Sequence, residues 1–283
     1  MRVGSAIAAI LVILGLLRPA AAAEDRYFVT GDGVRLHYLE AGRGRTLVFV
    51  PGWTMPAWIW QRQIDEFSRQ YRVIAFDPRG QGDSAVAPSG YEPGRRGQDI
   101  ADLIARLGPE PVLLVGWSLG VLDALAYVHA NGDTRIAGLV LVDNSVGEDP
   151  PPQPSRHPTK PGPRLPREAM MRNFVRGMFK RPQPQAYLDR LTEACLRTPQ
   201  PAASALLSYP VPRSYWKEAV YSTDKPVLYV VRPKFAGQAD NLAAHHPAAE
   251  AVVMKEPGHA LFVDEPAHFN AILLDFIRRR IWR

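Results

Sequence analysis

The segment VLLVGWSLGVLDALAYV, Val112 to Val128, constrains the fold more than any other in the chain. Val112 to Val115 is a short apolar run of the kind buried as a strand, and an amphipathic helix is expected over Leu119 to Ala130. Between them stands Gly116-Trp117-Ser118-Leu119-Gly120. So abrupt a strand-to-helix turn has no room for large side chains on both sides of its central residue, and Gly116 and Gly120 relieve that crowding. Ser118 is then held in a strained backbone with its hydroxyl above the sheet, over a helix N-terminus that favours developing negative charge.

The same alternation recurs along the chain. Leu47 to Val50, Val73 to Phe76, Leu139 to Val142 and Val227 to Val231 read as further buried strands, and Ala251 to Met254 as a weaker one. Helical patterns cover Trp58 to Ser68, Gln98 to Leu107 and Ala267 to Arg279. Val34 to Glu40 alternates in polarity and suggests an antiparallel strand near an edge. The expected fold class is α/β, a mainly parallel twisted sheet with helices on both faces. The pattern breaks between Pro150 and Asp224, where 14 of the 27 prolines fall. Met170, Met171, Phe174, Val175, Met178 and Phe179 recur there at helical spacing, and a second helix is expected over Gln185 to Arg197. The core is therefore expected over 24–149 and 225–283, with a proline-rich helical lid at 150–224 inserted between two core strands.

Residues 1–23 have the character of a secretory signal. Arg2 precedes a nearly continuous apolar run from Val3 to Leu17, and Arg18-Pro19 and four alanines follow. The run is shorter than the roughly 20 residues a spanning helix requires. Cleavage near Ala23–Glu24 is therefore expected, giving an exported protein, periplasmic or secreted, with no stable membrane span. Loss of Arg2 and Arg18 leaves 32 basic against 28 acidic residues, a net charge of +4. Apart from Arg278-Arg279-Arg280 the basic residues are scattered, which argues against a nucleic-acid surface. Cys195 is the only cysteine, so an intrachain disulfide is excluded, and it reads as a packing residue.

With GWSLG stand FVPGWTM after the first core strand, VIAFDPRGQGDS at Val73 to Ser84, and EPGHALFVDEP at Glu256 to Pro266. Together these resemble the α/β-hydrolase superfamily, closest to its cofactor-free haloperoxidase/esterase and epoxide-hydrolase-like branch. The resemblance implies the fold, a Ser–acid–His order and hydrolase activity. It also implies an oxyanion hole made by the backbone N–H groups of Trp53 and Leu119, although Pro51 stands where the family usually has His. The Asp77 to Ser84 stretch reads as a tight loop tied down by its polar groups, without chemistry of its own.

Of seven histidines, His259 suits a catalytic base: it follows Pro257-Gly258 in a late loop and matches the family's Gly-His motif. His37, His129 and His268 fall within secondary structure, and His245 and His246 end a surface helix. The acid departs from the family pattern. After Val231, where it usually follows, come Arg232, Pro233, Lys234 and Phe235. Asp143 ends an apolar run on the edge of the sheet that carries Ser118, where ligands bind. It is the first choice of acid, with Asp240 the alternative and Glu148, or no acid, behind it. Asp224 lies at the opposite sheet edge, and Asp264 reads as the N-cap of the last helix.

Ser118, His259 and Asp143 would together hydrolyse an apolar ester through an acyl-enzyme, with no metal or other cofactor. A serine at the elbow argues against epoxide opening, for which family members use Asp there. Perhydrolysis, acyl transfer to an alcohol, and ligand binding without turnover stay open.

Overall fold

The computed structural model describes residues 22–151 and 165–282. The expected signal segment lies outside the described residues except for its last two positions, as does the proline-rich stretch 152–164. Eight strands form one sheet: β1 (Glu24–Val29), β2 (Arg35–Ala41), β3 (Thr46–Val50), β4 (Arg72–Asp77), β5 (Val112–Trp117), β6 (Ile136–Val142), β7 (Val227–Val231) and β8 (Ala249–Val253). Their order is β1-β2-β4-β3-β5-β6-β7-β8. β2 runs antiparallel to β1 and β4, and every other pairing is parallel.

Strand side chains alternate between two apolar layers, as a period of two requires. Val48, Val50, Leu114, Leu139, Leu141, Tyr229 and Val231 face one layer. Leu47, Phe49, Leu113, Val115, Val140, Val142, Leu228 and Val230 face the other. The first layer is covered by α2 (Pro93–Arg106), α3 (Leu119–Asn131), α7 (Ser214–Tyr221) and α8 (Ala236–His245). The second is covered by α1 (Gln61–Phe67), α9 (Leu261–Asp264) and α10 (Pro266–Phe276). With both faces covered, the central strands are continuous apolar runs.

Two expectations change. The helix after Ser118 is not amphipathic: Leu119 to Val128 are all buried, because α3 is enclosed by the sheet, α2 and α7. β1 was not foreseen, because EDRYFV is an edge strand with only Phe28 buried and carries no alternating signal.

Between β6 and β7 the chain forms α4 (Arg167–Gly177), α5 (Gln185–Arg197), α6 (Gln200–Ala205) and α7. Met171, Val175 and Met178 on and after α4, with Leu191 and Cys195 on α5, join the second apolar layer. Of the methionine and phenylalanine stripe, Met170 is exposed. α7 packs against α3, and its Trp216, Ala219 and Val220 belong to the first layer.

Candidate active site

The strand-to-helix turn takes the form its glycines require. Ser118 has φ 54° and ψ −118°, a conformation costly for any residue with a Cβ. A Cβ on Gly116 would lie 2.2 Å from the Gly120 carbonyl oxygen, and one on Gly120 would lie 2.3 Å from that of Val50. The strain is held by neighbours. The Ser118 N–H donates to Val142 O (2.9 Å), and Asn144 Nδ2 donates to Ser118 O (2.8 Å). The residues after β6 therefore fix the elbow from the side.

The structure brings together Ser118, His259 and Asp143. His259 Nε2 lies 2.9 Å from Ser118 Oγ, and His259 Nδ1 lies 2.6 Å from Asp143 Oδ2. As a carboxylate Asp143 only accepts, so Nδ1 carries the hydrogen and Nε2 offers its lone pair to the serine hydroxyl. This is the relation of nucleophile, base and orienting acid that acyl transfer needs. Asp143 is buried and has φ 52°. Its other oxygen accepts the Arg232 N–H (3.0 Å), and Arg232 Nε donates to Oδ2 at 2.6 Å. The segment after β7 thus reaches the site, but as a cation that holds a carboxylate from β6.

Trp117 supports His259, its Nε1 donating to His259 O at 2.8 Å and its ring lying 5.2 Å from the imidazole. Neither Arg232 nor Trp117 was readable as a site residue. Both contacts span long stretches of chain, and Trp117 occupies a variable position of G-x-S-x-G.

The candidate oxyanion donors are also adjacent. Leu119 follows Ser118 directly, and a Cβ on Gly52 would lie 3.1 Å from Ser118 Cβ, so the Trp53 loop passes against the nucleophile. Neither the Trp53 nor the Leu119 N–H donates a hydrogen bond to a described residue. The loop is held by Gln81, whose Oε1 accepts the Thr54 N–H (2.7 Å) and whose Nε2 donates to Gly52 O (3.2 Å). Thr54 itself has φ 59°. The Trp53 indole donates to Ala203 O (2.7 Å) and meets Phe174 edge-on at 5.1 Å, so it packs against the inserted helices.

Gln81 belongs to the DPRGQGDS stretch, which is tied down throughout. Asp77 accepts from His37 Nδ1 (2.7 Å), the Ala57 N–H (2.5 Å) and the Asp83 N–H (2.9 Å). Burial pushes the Asp77 carboxyl up, against the pull of these donors. Among the described residues His37, Asp77 and Asp83 bring donor atoms of metal-ligand type within 4.8 Å. The His37–Asp77 hydrogen bond already occupies that pair.

The other candidate acids are elsewhere. Asp240 is exposed on α8, in a surface hollow with Asp149 and Asn241. Glu148 is buried, but Tyr221 Oη (2.5 Å), Asn241 Nδ2 (2.8 Å) and Lys217 Nζ (2.8 Å) occupy it. Burial would raise its carboxyl; these partners instead hold it at about 2. Asp264 does not cap the last helix. Its Oδ2 accepts the Gly258 N–H (2.7 Å) and the Lys180 N–H (2.8 Å), joining the base loop to the chain after α4. The Cys195 thiol is buried beside Met55 and pushed up to about 12 by burial, which disfavours the thiolate a nucleophile needs.

Ser118 and His259 open into a cleft of about 470 Å³, walled also by Phe174, Met178, Arg232 and Lys234. A larger hollow of about 650 Å³ lies around Glu40 and Arg72, at the opposite edge of the sheet.

Residues 47–271 match the alpha/beta hydrolase family. The chain belongs to that family. A non-heme haloperoxidase of Rhodococcus erythropolis is 38% identical over 117 residues, 41% of this chain and 43% of its own. A soluble epoxide hydrolase of Corynebacterium sp. (strain C12) is 33% identical over 116 residues, 41% of this chain and 40% of its own. The aligned part spans about two-fifths of the length of these relatives. In fold, the chain superposes on the esterase RhEst1 from Rhodococcus sp. ECU1013 with a TM-score of 0.74 at 24% identity, over 90% of this chain and 99% of that one. Among the described residues no helix is long and apolar enough to cross a membrane.

Proposed function

We propose that this α/β hydrolase cleaves carboxylic esters through a Ser118–His259–Asp143 triad. The observation that carries the reading is the unbroken relay from Ser118 Oγ through both nitrogens of His259 to buried Asp143. His259 takes the Ser118 proton as Oγ attacks the carbonyl, and the Trp53 and Leu119 N–H groups receive the oxyanion. His259 then protonates the leaving alcohol. Water, activated by the same nitrogen, releases the acid from the acyl-enzyme. Serine at the elbow favours this course over epoxide opening, and Phe174 and Met178 give the cleft an apolar wall.

A fluorophosphonate probe should label the wild-type protein at Ser118, and a panel of 4-nitrophenyl esters should be turned over. Ser118→Ala should abolish labelling and lower kcat on the order of 10⁶-fold. Substantial turnover by Ser118→Ala would sink the assignment. Products formed with added alcohol or peroxide separate hydrolysis from acyl transfer and perhydrolysis.

Export is part of the same proposal. Its support is the apolar leader, together with a first strand that starts at Glu24, directly after the expected cleavage point. N-terminal sequencing of the mature protein should begin at Glu24; a retained Met1 would overturn it.

A further inference from the structure

We propose that the ester carries an anionic group, a carboxylate or phosphate a few atoms from the scissile carbonyl, received by Arg232 and Lys234. This inference rests on the hydrolase reading above. Both cations line the cleft that holds Ser118 and His259. They lie on the short turn after β7, at the edge of a parallel sheet where ligands bind.

The charges around them do not cancel. Among the described residues Asp143 is the only carboxylate lining the cleft, and it is buried with both oxygens taken. Arg232 spends its Nε and its backbone N–H on Asp143, while its side chain keeps 27% exposure. Its Nη2 lies 3.4 Å from His259 Nδ1, which already donates to Asp143, so the contact gives Nη2 no acceptor. The Nη edge of the guanidinium thus meets no carboxylate among the described residues. Lys234 is exposed, its ammonium lies 5.2 Å from the centre of the Phe235 ring, and no described carboxylate pairs with it. Some cations elsewhere on the fold do meet a carboxylate, as Arg181 meets Glu265, Arg197 meets Asp83 and Arg213 meets Asp149; what sets Lys234 apart is its place on the wall of the cleft that holds Ser118. One unpaired cation, Lys234, with the Nη edge of the Asp143-bound Arg232 beside it and an apolar wall opposite, leaves the cleft with an excess positive charge that fits a substrate with an apolar body and one anionic end.

The test compares matched esters. On the alcohol side the pair is 4-acetoxybenzoate and 4-acetoxybenzamide; on the acyl side it is monomethyl glutarate and methyl pentanoate. Each kcat/KM is divided by the rate of hydroxide hydrolysis of the same ester, which removes intrinsic reactivity. In at least one pair the anionic member should be favoured tenfold or more, and the pair that shows it reports which side of the ester faces Arg232. The preference should shrink in 1 M salt, where the screening length falls to about 3 Å. It should fall in Lys234→Ala and reverse in Lys234→Glu, through KM more than kcat. Neutral esters turned over as well as anionic ones in both pairs, with Ser118 still labelled by fluorophosphonate, would overturn this inference and leave the hydrolase reading intact. An unlabelled Ser118 would remove the reading itself.

Discussion

Asp143 occupies a position where the local sequence says little, since an aspartate that ends a buried strand is as often structural as catalytic. Two things distinguish this one. The usual position after β7 holds Arg232, and the Asp143 backbone adopts φ 52°, a left-handed conformation that sets its carboxylate 2.6 Å from His259 Nδ1. Asp143→Asn should therefore lower kcat by about 10⁴, because the amide can stabilise the wrong imidazole tautomer. Asp240→Asn, on the exposed face of α8, should leave kcat within about twofold. Steady-state kinetics on both variants, with circular dichroism to verify folding, decide the matter. Near-wild-type kcat in Asp143→Asn would make it structural. The reading of Asp143 from sequence depended on elimination, with a serine before it, a histidine after it and an empty usual place. Elimination could not reveal that Arg232 grips the carboxylate from 89 positions away, since one guanidinium between many carboxylates has no sequence mark.

At the scale of elements, readability followed burial. β3, β5, β6 and β7 lie in the covered middle of the sheet, so their runs are apolar; the limits of β3, β5 and β7 emerge within a residue or two, while β6 starts three residues early, at Ile136, ahead of Gly138. β1 lies at the edge with one buried side chain and emits no pattern. α3 misleads in the opposite direction: enclosed on all sides, it has no polar face. The GWSLG turn was readable because its constraint is steric and local. A Cβ at Gly120 would meet a carbonyl oxygen of β3 at 2.3 Å, closer than any repacking allows. The loop before it was only half readable. PGWTM carries Trp53, one of the two proposed oxyanion donors, but the side chain that holds that loop, Gln81, comes from the stretch after β4. The loop-tying character of that stretch was visible in its glycines and polar residues; its target was not.

Across the whole molecule, the base loop is fastened to both the sheet and the insertion. Trp117 holds the His259 carbonyl from the sheet side. From the other side, the Ala260 N–H donates to Met178 O (3.2 Å), and Asp264 gathers the N–H groups of Gly258 and Lys180. The chain passes so closely that a Cβ on Gly258 would lie 2.4 Å from Met178 O. The residues on either side of His259 are thus joined to the end of α4, the helix whose Phe174 and Gly177 line the cleft. In the proposed mechanism Asp264 would act as a positioning residue that sets His259 by way of the insertion. Asp264→Ala leaves three backbone donors, the N–H groups of Gly258, Lys180 and Arg181, without their acceptor, at a cost on the order of 3 kcal/mol in stability. Release of the loop should also lower kcat per folded molecule by about 10- to 100-fold, since small misplacements of a catalytic group are costly. Asp264→Asn keeps one carbonyl oxygen and should recover part of both losses. Urea unfolding gives the folded fraction, and the rate of fluorophosphonate labelling at Ser118 reports nucleophile activation independently of substrate binding. If stability falls while kcat and labelling per folded molecule stay at wild-type values, Asp264 only staples the insertion down, and His259 owes its place to Trp117 and Asp143 alone.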